Sequence, residues 1–264
     1  MNEEARSMME NPFRRALVER RVTVGSWVQI NNPTAAEVLA NAGYEWIGLD
    51  IEHTDIDVGS LTGLLRGMYG RGAVPVARVA TNEVMAIRRA LDMGVQGVLV
   101  PLVSTADDAR RAVAAAKYPP QGVRGFAFCR ANDWGVDFAR YAASANDEIA
   151  VVVMIESKEG VENIDAILAV DGVDGVFIGP YDMSGSYGIP GQTGDPIVRN
   201  ACREVVRACD RAGKSAGLHV VDPTPEAVRG ALDDGFTLIC LGVDTVFLNQ
   251  GARAARDVAM AALV

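Results

Sequence analysis

Short apolar segments alternate with amphipathic segments along almost the whole chain. Eight of the apolar segments have strand length, and some, such as VLVPLV and AVVVMI, are apolar at consecutive positions. Strands that are apolar on both faces are typical of a parallel sheet covered by helices. The predicted strands span residues 23–30, 46–50, 74–79, 97–103, 150–155, 175–178, 215–220 and 238–242.

The segments between these strands have the spacing of amphipathic helices, as in AAEVLANAG and VMAIRRALDMG, and they end in glycine or at a turn. Eight strand–helix units predict an α/β fold, a closed (β/α)8 TIM barrel. The length of 264 residues fits one such domain over residues 1–264. An open doubly wound sheet is the alternative, but no GxGxxG motif follows the first strand, which disfavours a nucleotide cofactor.

One segment, residues 119–148, interrupts this rhythm before the fifth predicted strand. It is too long for an ordinary connection between a helix and a strand, and such insertions often carry function. A packing role is the alternative, and the sequence alone leaves both open.

Composition limits the classes of partner. The net charge of −9 disfavours nucleic acid and anionic membranes as partners. The first residues are charged and lack the apolar core of a signal peptide, which predicts a cytoplasmic location. The four cysteines have no CxxC spacing, so we expect reduced packing residues. They are Cys129, Cys202, Cys209 and Cys240.

Polar side chains follow the apolar strands at the points where these strands end. In a barrel of parallel strands the carboxyl ends meet at one rim, where active sites lie. Three kinds of group would converge there: carboxylates, one arginine and the only two histidines of the chain. They are Asp50, Glu52, His53, Arg78, Glu156, Asp182, His219 and Asp244.

Glu156 and Asp182 each follow an apolar strand, which predicts two carboxylates in a cavity with limited access to water. Such carboxylates repel each other and raise each other's pKa unless a cation lies between them. Hard oxygen ligands with open positions suit Mg²⁺ or Mn²⁺. Ordinary salt bridges to arginine at the rim are the alternative.

His53 and Arg78 also have two interpretations each. A histidine between acids at a barrel mouth can act as a general base. The alternative is a structural role, as a capping or rim residue. An arginine inside an apolar strand needs an anion, which would be Asp50 or a substrate oxygen. Backbone N–H groups near Gly179 and Pro180 would also suit a substrate carboxylate.

Taken together, several segments resemble the HpcH/HpaI family of metal-dependent (class II) pyruvate aldolases. The resemblance covers nearly the whole chain, and the order and spacing of its motifs are specific. The matching segments are AGYEWIGLDIEH, PVARV, ALDMGVQGVLVPLV, KYPPQGVRG, GVDGVFIGPYDMS and LGVDT.

This resemblance implies reversible cleavage of a 4-hydroxy-2-oxo acid to pyruvate, or a related 2-oxo acid, and an aldehyde. It implies Glu156 and Asp182 as ligands of Mg²⁺, Mn²⁺ or Co²⁺, and Arg78 as the group that binds the 2-oxo oxygen. It also implies a last helix exchanged between subunits, in dimers that assemble into a hexamer, a trimer of dimers. The remaining implied roles are catalysis by His53 with Asp92 as its acidic partner, support by Asp50, and a pocket lined by Trp27.

The chain also departs from the family's pattern. Met154 stands where members often have glutamine, Tyr181 where some have a small residue, and His219 where some have an aliphatic one. These positions are expected near the substrate, with Tyr181 and His219 in contact with it. The departures predict an acceptor different from that of the best-known members.

Three rival functions remain open. A Schiff-base aldolase needs a lysine in the barrel, and the chain has only Lys117, Lys158 and Lys214. The same metal–enolate chemistry would serve a decarboxylase or a hydroxyacyl-CoA lyase, although no basic cluster for a nucleotide is present. A non-catalytic 2-oxo acid binding protein would need no proton-transferring histidine.

Overall fold

A computed structural model describes residues 10–263, and its strands form one closed, parallel barrel in chain order. The last strand pairs with the first, which confirms the predicted (β/α)8 architecture. Residues 1–9 and 264 of the predicted domain lie outside the described residues. The strands are β1 Thr23–Val28, β2 Trp46–Asp50, β3 Val74–Arg78, β4 Gly97–Val100, β5 Ala150–Ile155, β6 Gly175–Ile178, β7 Ser215–Val220 and β8 Leu238–Val243.

The observed bounds of β2, β5, β6 and β7 coincide with the predicted ranges, whereas β4 ends three residues early. The reason is local. Pro101 has no N–H to donate to a neighbouring strand, and Leu102 has a φ of 56°. The chain therefore turns at the rim, and the N–H of Leu102 points to a side chain of the site described below.

The helices cover the barrel between successive strands. Several have side-chain caps at their first turn, as at Asn32 before α2 and Asp57 before α3. In residues 10–263 the helices are α1 Pro12–Val18, α2 Pro33–Asn41, α3 Val58–Met68, α4 Val84–Met93, α5 Ala106–Ala116, α6 Phe138–Glu148, α7 Lys158–Glu162, α8 Ile164–Leu168, α9 Pro180–Ser186, α10 Pro196–Ala212, α11 Pro225–Asp233 and α12 Asp244–Ala262.

Large aromatic side chains fill the barrel interior. Trp46 is fully buried and contacts Phe13 of α1, whose ring centroid lies 5.5 Å away, so α1 closes the amino end of the barrel. Trp27 lies farther toward the carboxyl end. A Cβ at Gly48 would lie 2.5 Å from the ring of Trp27, so this position has room only for glycine.

The segment 119–148 has both a packing side and an exposed side. Within this segment Arg124 is fully buried, with its guanidinium 4.7 Å from the ring centre of Tyr118. The ring of Phe126 stacks on Tyr118 at 4.4 Å. On the outer side Phe128 and Trp134 are exposed. The packing role is therefore present, and the exposed aromatics leave the second role open.

Helix α12 starts against the barrel and then leaves it. Asp244, at its first residue, is buried, but every residue from 248 to 263 is exposed. Leu248, Val258 and Leu263 are between 65% and 80% exposed. Among residues 10–263, no helix combines the length and hydrophobicity that crossing a bilayer requires.

Candidate functional site

A cavity of about 560 Å³ opens at the carboxyl ends of the strands. Its wall brings together residues from β1, β3, β5, β6, β7 and α9 that are far apart in sequence. Most of the site residues predicted from the sequence lie on it: Trp27, Arg78, Glu156, Gly179, Pro180, Tyr181, Asp182 and His219.

Asp50 and Arg78 form an ion pair across β2 and β3, where the two residues are directly in register. Arg78 donates from Nε to Asp50 Oδ1 at 2.9 Å and from Nη2 to Oδ2 at 2.6 Å, while Gln29 donates to Oδ2 at 3.0 Å. Burial alone would raise the pKa of Asp50, but the bonds and charge of Arg78 outweigh it and hold that pKa below its usual value.

This geometry leaves one nitrogen of Arg78 for another partner. Among the described residues its hydrogen bonds all go to Asp50, and Nη1 makes none. The guanidinium lies 4.9 Å from the ring centre of Trp27 and lines the cavity. Arg78 can therefore bind Asp50 and, through Nη1, an oxygen of a ligand in the cavity. These are the two partners that the sequence analysis considered.

Glu156 is buried at the end of β5. Its Oε2 accepts a hydrogen bond from the N–H of Leu102 at 3.0 Å. Its other carboxylate oxygen faces Gly179, where a Cβ would lie only 2.7 Å away. Burial raises the pKa of Glu156, and the negative charges of Glu52 and Asp182 raise it further.

Asp182 lies in the first turn of α9 and is exposed to the cavity. Glu52 approaches the same region, with Oε2 buried, unbonded among the described residues and 3.4 Å from Arg78 Nε. Burial raises the pKa of Glu52, and the charges of Asp50 and Asp182 add to this. Negative charge is therefore in excess around Glu52, Glu156 and Asp182.

These oxygen donors suit a hard divalent cation. In residues 10–263, no three His, Cys, Asp or Glu side chains are grouped so that they could hold a metal ion. Glu156 and Asp182, the two carboxylates that the resemblance implies as metal ligands, both line the cavity.

His53 and Asp92 do not meet within one chain. His53 lies at the rim after β2, with its side chain 60% exposed and its Nε2 3.4 Å from Glu52 Oε2. Asp92 lies near the end of α4, which runs back to the amino end of the barrel, and it accepts from buried Arg124 at 2.8 Å. The predicted pair does not form inside the chain because the helix after β3 runs antiparallel to that strand.

Asp244 has a structural role at this rim. Its carboxylate accepts hydrogen bonds from the backbone N–H of Gln29 at 3.0 Å and of Ile30 at 2.9 Å. It therefore joins the end of β1 to the start of α12, and it does not line the cavity.

Two groups of site residues could not be identified from the sequence. Gln29 and the N–H of Leu102 hold Asp50 and Glu156, but a strand-end glutamine and a strand cut short by proline are weak signals. The cavity also extends to α10, where Arg199 and Arg203 line it. Their spacing places them on one helix face, but nothing in the sequence connects that face to the barrel mouth.

None of the three lysines, all within the described residues, lines this cavity. Lys117 is buried and donates to the backbone oxygens of Asn146 and Ile149, and burial lowers its pKa to about 8. Lys158 is 58% exposed and lies 3.7 Å from Glu162. The geometry gives no support to a Schiff-base lysine in the barrel.

Comparison with known proteins identifies the family of the chain. The family model "HpcH/HpaI aldolase/citrate lyase" matches residues 23–250. A protein of Escherichia coli O6:H1 named 5-keto-4-deoxy-D-glucarate aldolase is 39% identical over 94% of this chain and 96% of its own length.

Solved structures give the same result. A family protein from Burkholderia cenocepacia J2315 matches with a TM-score of 0.90 and 32% identity, over 95% of this chain and 99% of the other. An HpcH/HpaI aldolase from Desulfitobacterium hafniense DCB-2 matches with a TM-score of 0.85 and 30% identity, over 93% and 96%. The chain therefore belongs to the HpcH/HpaI aldolase/citrate lyase family and is a carbon–carbon lyase.

Proposed function

We propose that this protein is a divalent-metal-dependent aldolase that reversibly cleaves a 4-hydroxy-2-oxo acid to pyruvate, or a related 2-oxo acid, and an aldehyde. The main observation behind this proposal is that Arg78 lines the same cavity as the carboxylates Glu156 and Asp182. Asp50 holds the guanidinium of Arg78 in place. The name of the Escherichia coli relative, an aldolase of a keto-deoxy sugar acid, supports this reaction class.

Glu156 and Asp182 would hold the cation, which we propose to be Mg²⁺, Mn²⁺ or Co²⁺. When bound, such an ion would supply positive charge beside the 2-oxo acid and so stabilise its enolate. Burial raises the pKa of Glu156, and the charges of Glu52 and Asp182 raise it further; a cation at this point would relieve that repulsion.

Arg78 supplies the second positive charge. With Nε and Nη2 held by Asp50, its guanidinium is preorganised, and Nη1 is left to donate to the 2-oxo oxygen as charge develops there. Trp27 lies against the guanidinium and excludes water from that side.

His53 would move the proton of the 4-hydroxyl group, since it lies at the rim beside Glu52. Asp92 of the same chain does not reach it, so an Asp92–His53 pair would require a second subunit. In cleavage the C3–C4 bond breaks, the hydroxyl proton leaves oxygen, and C3 of the enolate later takes up a proton to give pyruvate.

The test is exchange of the pyruvate methyl protons in D2O, followed by NMR, with Mg²⁺ or Mn²⁺ and with EDTA. Exchange that requires the metal and is lost in Glu156→Gln, together with loss of 4-hydroxy-2-oxo acid cleavage in His53→Ala, supports the proposal. No exchange, together with no cleavage of any of a panel of 4-hydroxy-2-oxo acids, overturns it. Pyruvate trapping by borohydride in EDTA would indicate a Schiff base, and binding without exchange would indicate a non-catalytic protein.

Gly179→Ala is expected to weaken metal binding and activity by about 10–100-fold, the usual effect of displacing a ligand's support. The added Cβ would lie 2.7 Å from Glu156 Oε1, so the carboxylate must move. Gly185→Ala is the control, since Gly185 lies in α9, which starts directly after Gly179, and an added Cβ there meets no atom within 4 Å. Titration of Mn²⁺ by calorimetry checks both variants; equal affinities would contradict the assigned role of Glu156.

We also propose that α12 packs on a second subunit, in dimers that assemble into a hexamer. Its exposed apolar residues, including Leu248 and Val258, support this, because a long helix rarely stays stable without a packed face. Leu248→Glu with Val258→Glu is expected to reduce the assembly size, measured by light scattering. The matched control is Arg253→Glu with Arg256→Glu, and an unchanged mass in the apolar double variant would argue against the interface.

The proposed location is the cytoplasm. All four cysteines are free, as expected of a protein in a reducing compartment.

A further inference from the structure

A row of polar side chains lies across the carboxyl ends of four neighbouring strands, β8, β1, β2 and β3. Trp27 of β1 is in register with Val243 of β8 on one side and with Gly48 of β2 on the other. The row lies two residues farther along the chain from this register, where side chains of a strand return to the same face. In strand order its members are Thr245, Gln29, Asp50 and Arg78.

Hydrogen bonds connect this row from end to end. Thr245 Oγ1 donates to Gln29 Oε1 at 3.3 Å, and Gln29 Nε2 donates to Asp50 Oδ2 at 3.0 Å. Arg78 Nη2 donates to the same Oδ2 at 2.6 Å. Because an ionised carboxylate only accepts hydrogen bonds, the NH₂ group of Gln29 must face Asp50, and its amide oxygen must face Thr245. The hydroxyl group of Thr245 supplies the donor that this oxygen then needs.

The first turn of α12 also holds the main chain of Gln29. Asp244 is buried, and its carboxylate accepts from the backbone N–H of Gln29 at 3.0 Å and of Ile30 at 2.9 Å. The same carboxylate accepts from the N–H of Thr245 at 2.8 Å. Asp244 and Thr245 therefore fix both the backbone and the side chain of Gln29, although neither of them lines the cavity.

Asp50 is the residue through which this support reaches Arg78. It is fully buried, and its Oδ1 accepts from the backbone N–H groups of Glu52 at 3.2 Å and His53 at 3.3 Å. On Oδ2 the partners among the described residues are Arg78 and Gln29. If the carboxylate rotated, the guanidinium bound to it would move as well, and the bond from Gln29 opposes this rotation. A reactive group stays in place only when such outer contacts hold it.

We propose that Gln29 is a positioning residue, through which the first turn of α12 fixes the orientation of Asp50 and of the Arg78 guanidinium. This inference rests on the proposed aldolase function, in which Arg78 binds the 2-oxo oxygen. Gln29 transfers no proton. Its effect should fall mainly on kcat, since the charge that Arg78 stabilises develops in the transition state. Thr245, which is exposed and outside the cavity, should affect the rate by the same route.

The test measures kcat and KM for pyruvate in the metal-dependent exchange of its methyl protons in D2O. If the wild type cleaves a 4-hydroxy-2-oxo acid without exchange, the same constants are measured for cleavage. Gln29→Leu removes both side-chain hydrogen bonds, so kcat should fall about tenfold, less than the roughly hundredfold that a misplacement of about 1 Å can cost. KM and the affinity for Mn²⁺ should each change by less than about threefold, because Glu156 and Asp182 lie outside this row.

Thr245 tests the same route from outside the cavity. Thr245→Val has the same shape but no hydroxyl group, so kcat should fall about two- to threefold, a small effect because water can replace an exposed donor. Thr245→Ser keeps the hydroxyl group and should restore the rate. Gln29→Leu combined with Thr245→Val should be no slower than Gln29→Leu alone, because Thr245 acts through Gln29.

A double-mutant cycle with Arg78 separates positioning from a merely structural role. Arg78→Lys removes the planar guanidinium that Asp50 aligns. In that background Gln29→Leu should lower kcat by less than about twofold, since nothing remains for Gln29 to orient. A loss of rate that persists undiminished in Arg78→Lys overturns the inference.

Three other results would also overturn it. They are an unchanged kcat in Gln29→Leu, a rise in KM alone, which would make Gln29 a direct substrate contact, and a loss of Mn²⁺ affinity as large as the loss of kcat. If Gln29→Leu does not fold, the comparison of Thr245→Val with Thr245→Ser decides. Active wild type with equally active variants refutes the role of Gln29 alone. No exchange and no cleavage by the wild type refute the aldolase function and this inference with it.

Discussion

Glu156→Gln should lower kcat/KM by more than about a hundredfold and prevent tight binding of Mn²⁺. Loss of a supporting residue near a metal typically costs about 10–100-fold, and this change removes the charge of a residue that we propose as a ligand. Glutamine keeps the shape of the side chain and can still accept from the N–H of Leu102. A loss of activity and of Mn²⁺ binding would therefore result from the missing charge and not from a change in the structure around residue 156.

The same variant should gain stability in EDTA. Burial and neighbouring charges raise the pKa of Glu156 in the folded protein. A raised carboxyl pKa favours folding below the unfolded pKa and opposes it as pH rises through the folded value. The neutral glutamine removes this cost at neutral pH, so Tm in EDTA should rise. Glu162→Gln, at an exposed ion pair with Lys158, is the control and should change neither property. A lower Tm in EDTA would argue against the excess of negative charge.

Arg78→Met should impair both activity and stability. Asp50 is fully buried, and its partner would be gone, which typically costs about 3–5 kcal/mol. The enolate would also lose a donor, for which a fall in kcat of about 10²–10³-fold is typical. Arg78→Lys keeps the charge but not the planar fork, so it should lose activity while retaining more of the stability. Kinetics and denaturant unfolding of the three proteins check these expectations.

The pH dependence gives a sharper test of the Asp50–Arg78 pair. In the wild type the pKa of Asp50 is held below its usual value, so the stability it contributes is present above the unfolded pKa and lost as pH falls. In Arg78→Met, burial without a partner raises that pKa, and the stability is instead lost as pH rises. The difference in unfolding free energy should be larger near pH 7 than near pH 4, because over this range the buried carboxyl of the variant must lose its proton while that of the wild type has already lost it. Arg211→Met, at an exposed pair, should show almost no difference at either pH. A pH-independent difference would contradict the pair's electrostatic role.

Much of this site could be predicted because strand ends in a barrel share one rim. Asp50 and Arg78 terminate neighbouring parallel strands in register, so their contact follows from the strand prediction. The same rule places Asp92 away from this rim, although the resemblance implied it as the partner of His53. It comes fourteen residues after Arg78, in a helix that must return to the amino end, and the sequence motif gave no sign of this.

The rest depended on details that no apolar pattern encodes. The N–H of Leu102 reaches Glu156 only because β4 stops at Val100 and the backbone turns to a positive φ. The apolar pattern does not show the departure of α12 from the barrel either, since its residues keep the composition of an ordinary covering helix, and only the family resemblance implied it. Whether a helix packs on its own barrel is a three-dimensional property.

The two carboxylates that would bind the cation are spaced by the main chain. The N–H of Gly179 donates to the oxygen of Ile155 at 3.1 Å, which ties the residue before Glu156 to the turn that starts α9 and carries Asp182. His219 belongs to a different strand, β7, and takes no part in this hydrogen bond. The separation of Glu156 and Asp182 is therefore set by β5 and β6, so substitutions on β7 should reshape the cavity wall without changing that separation.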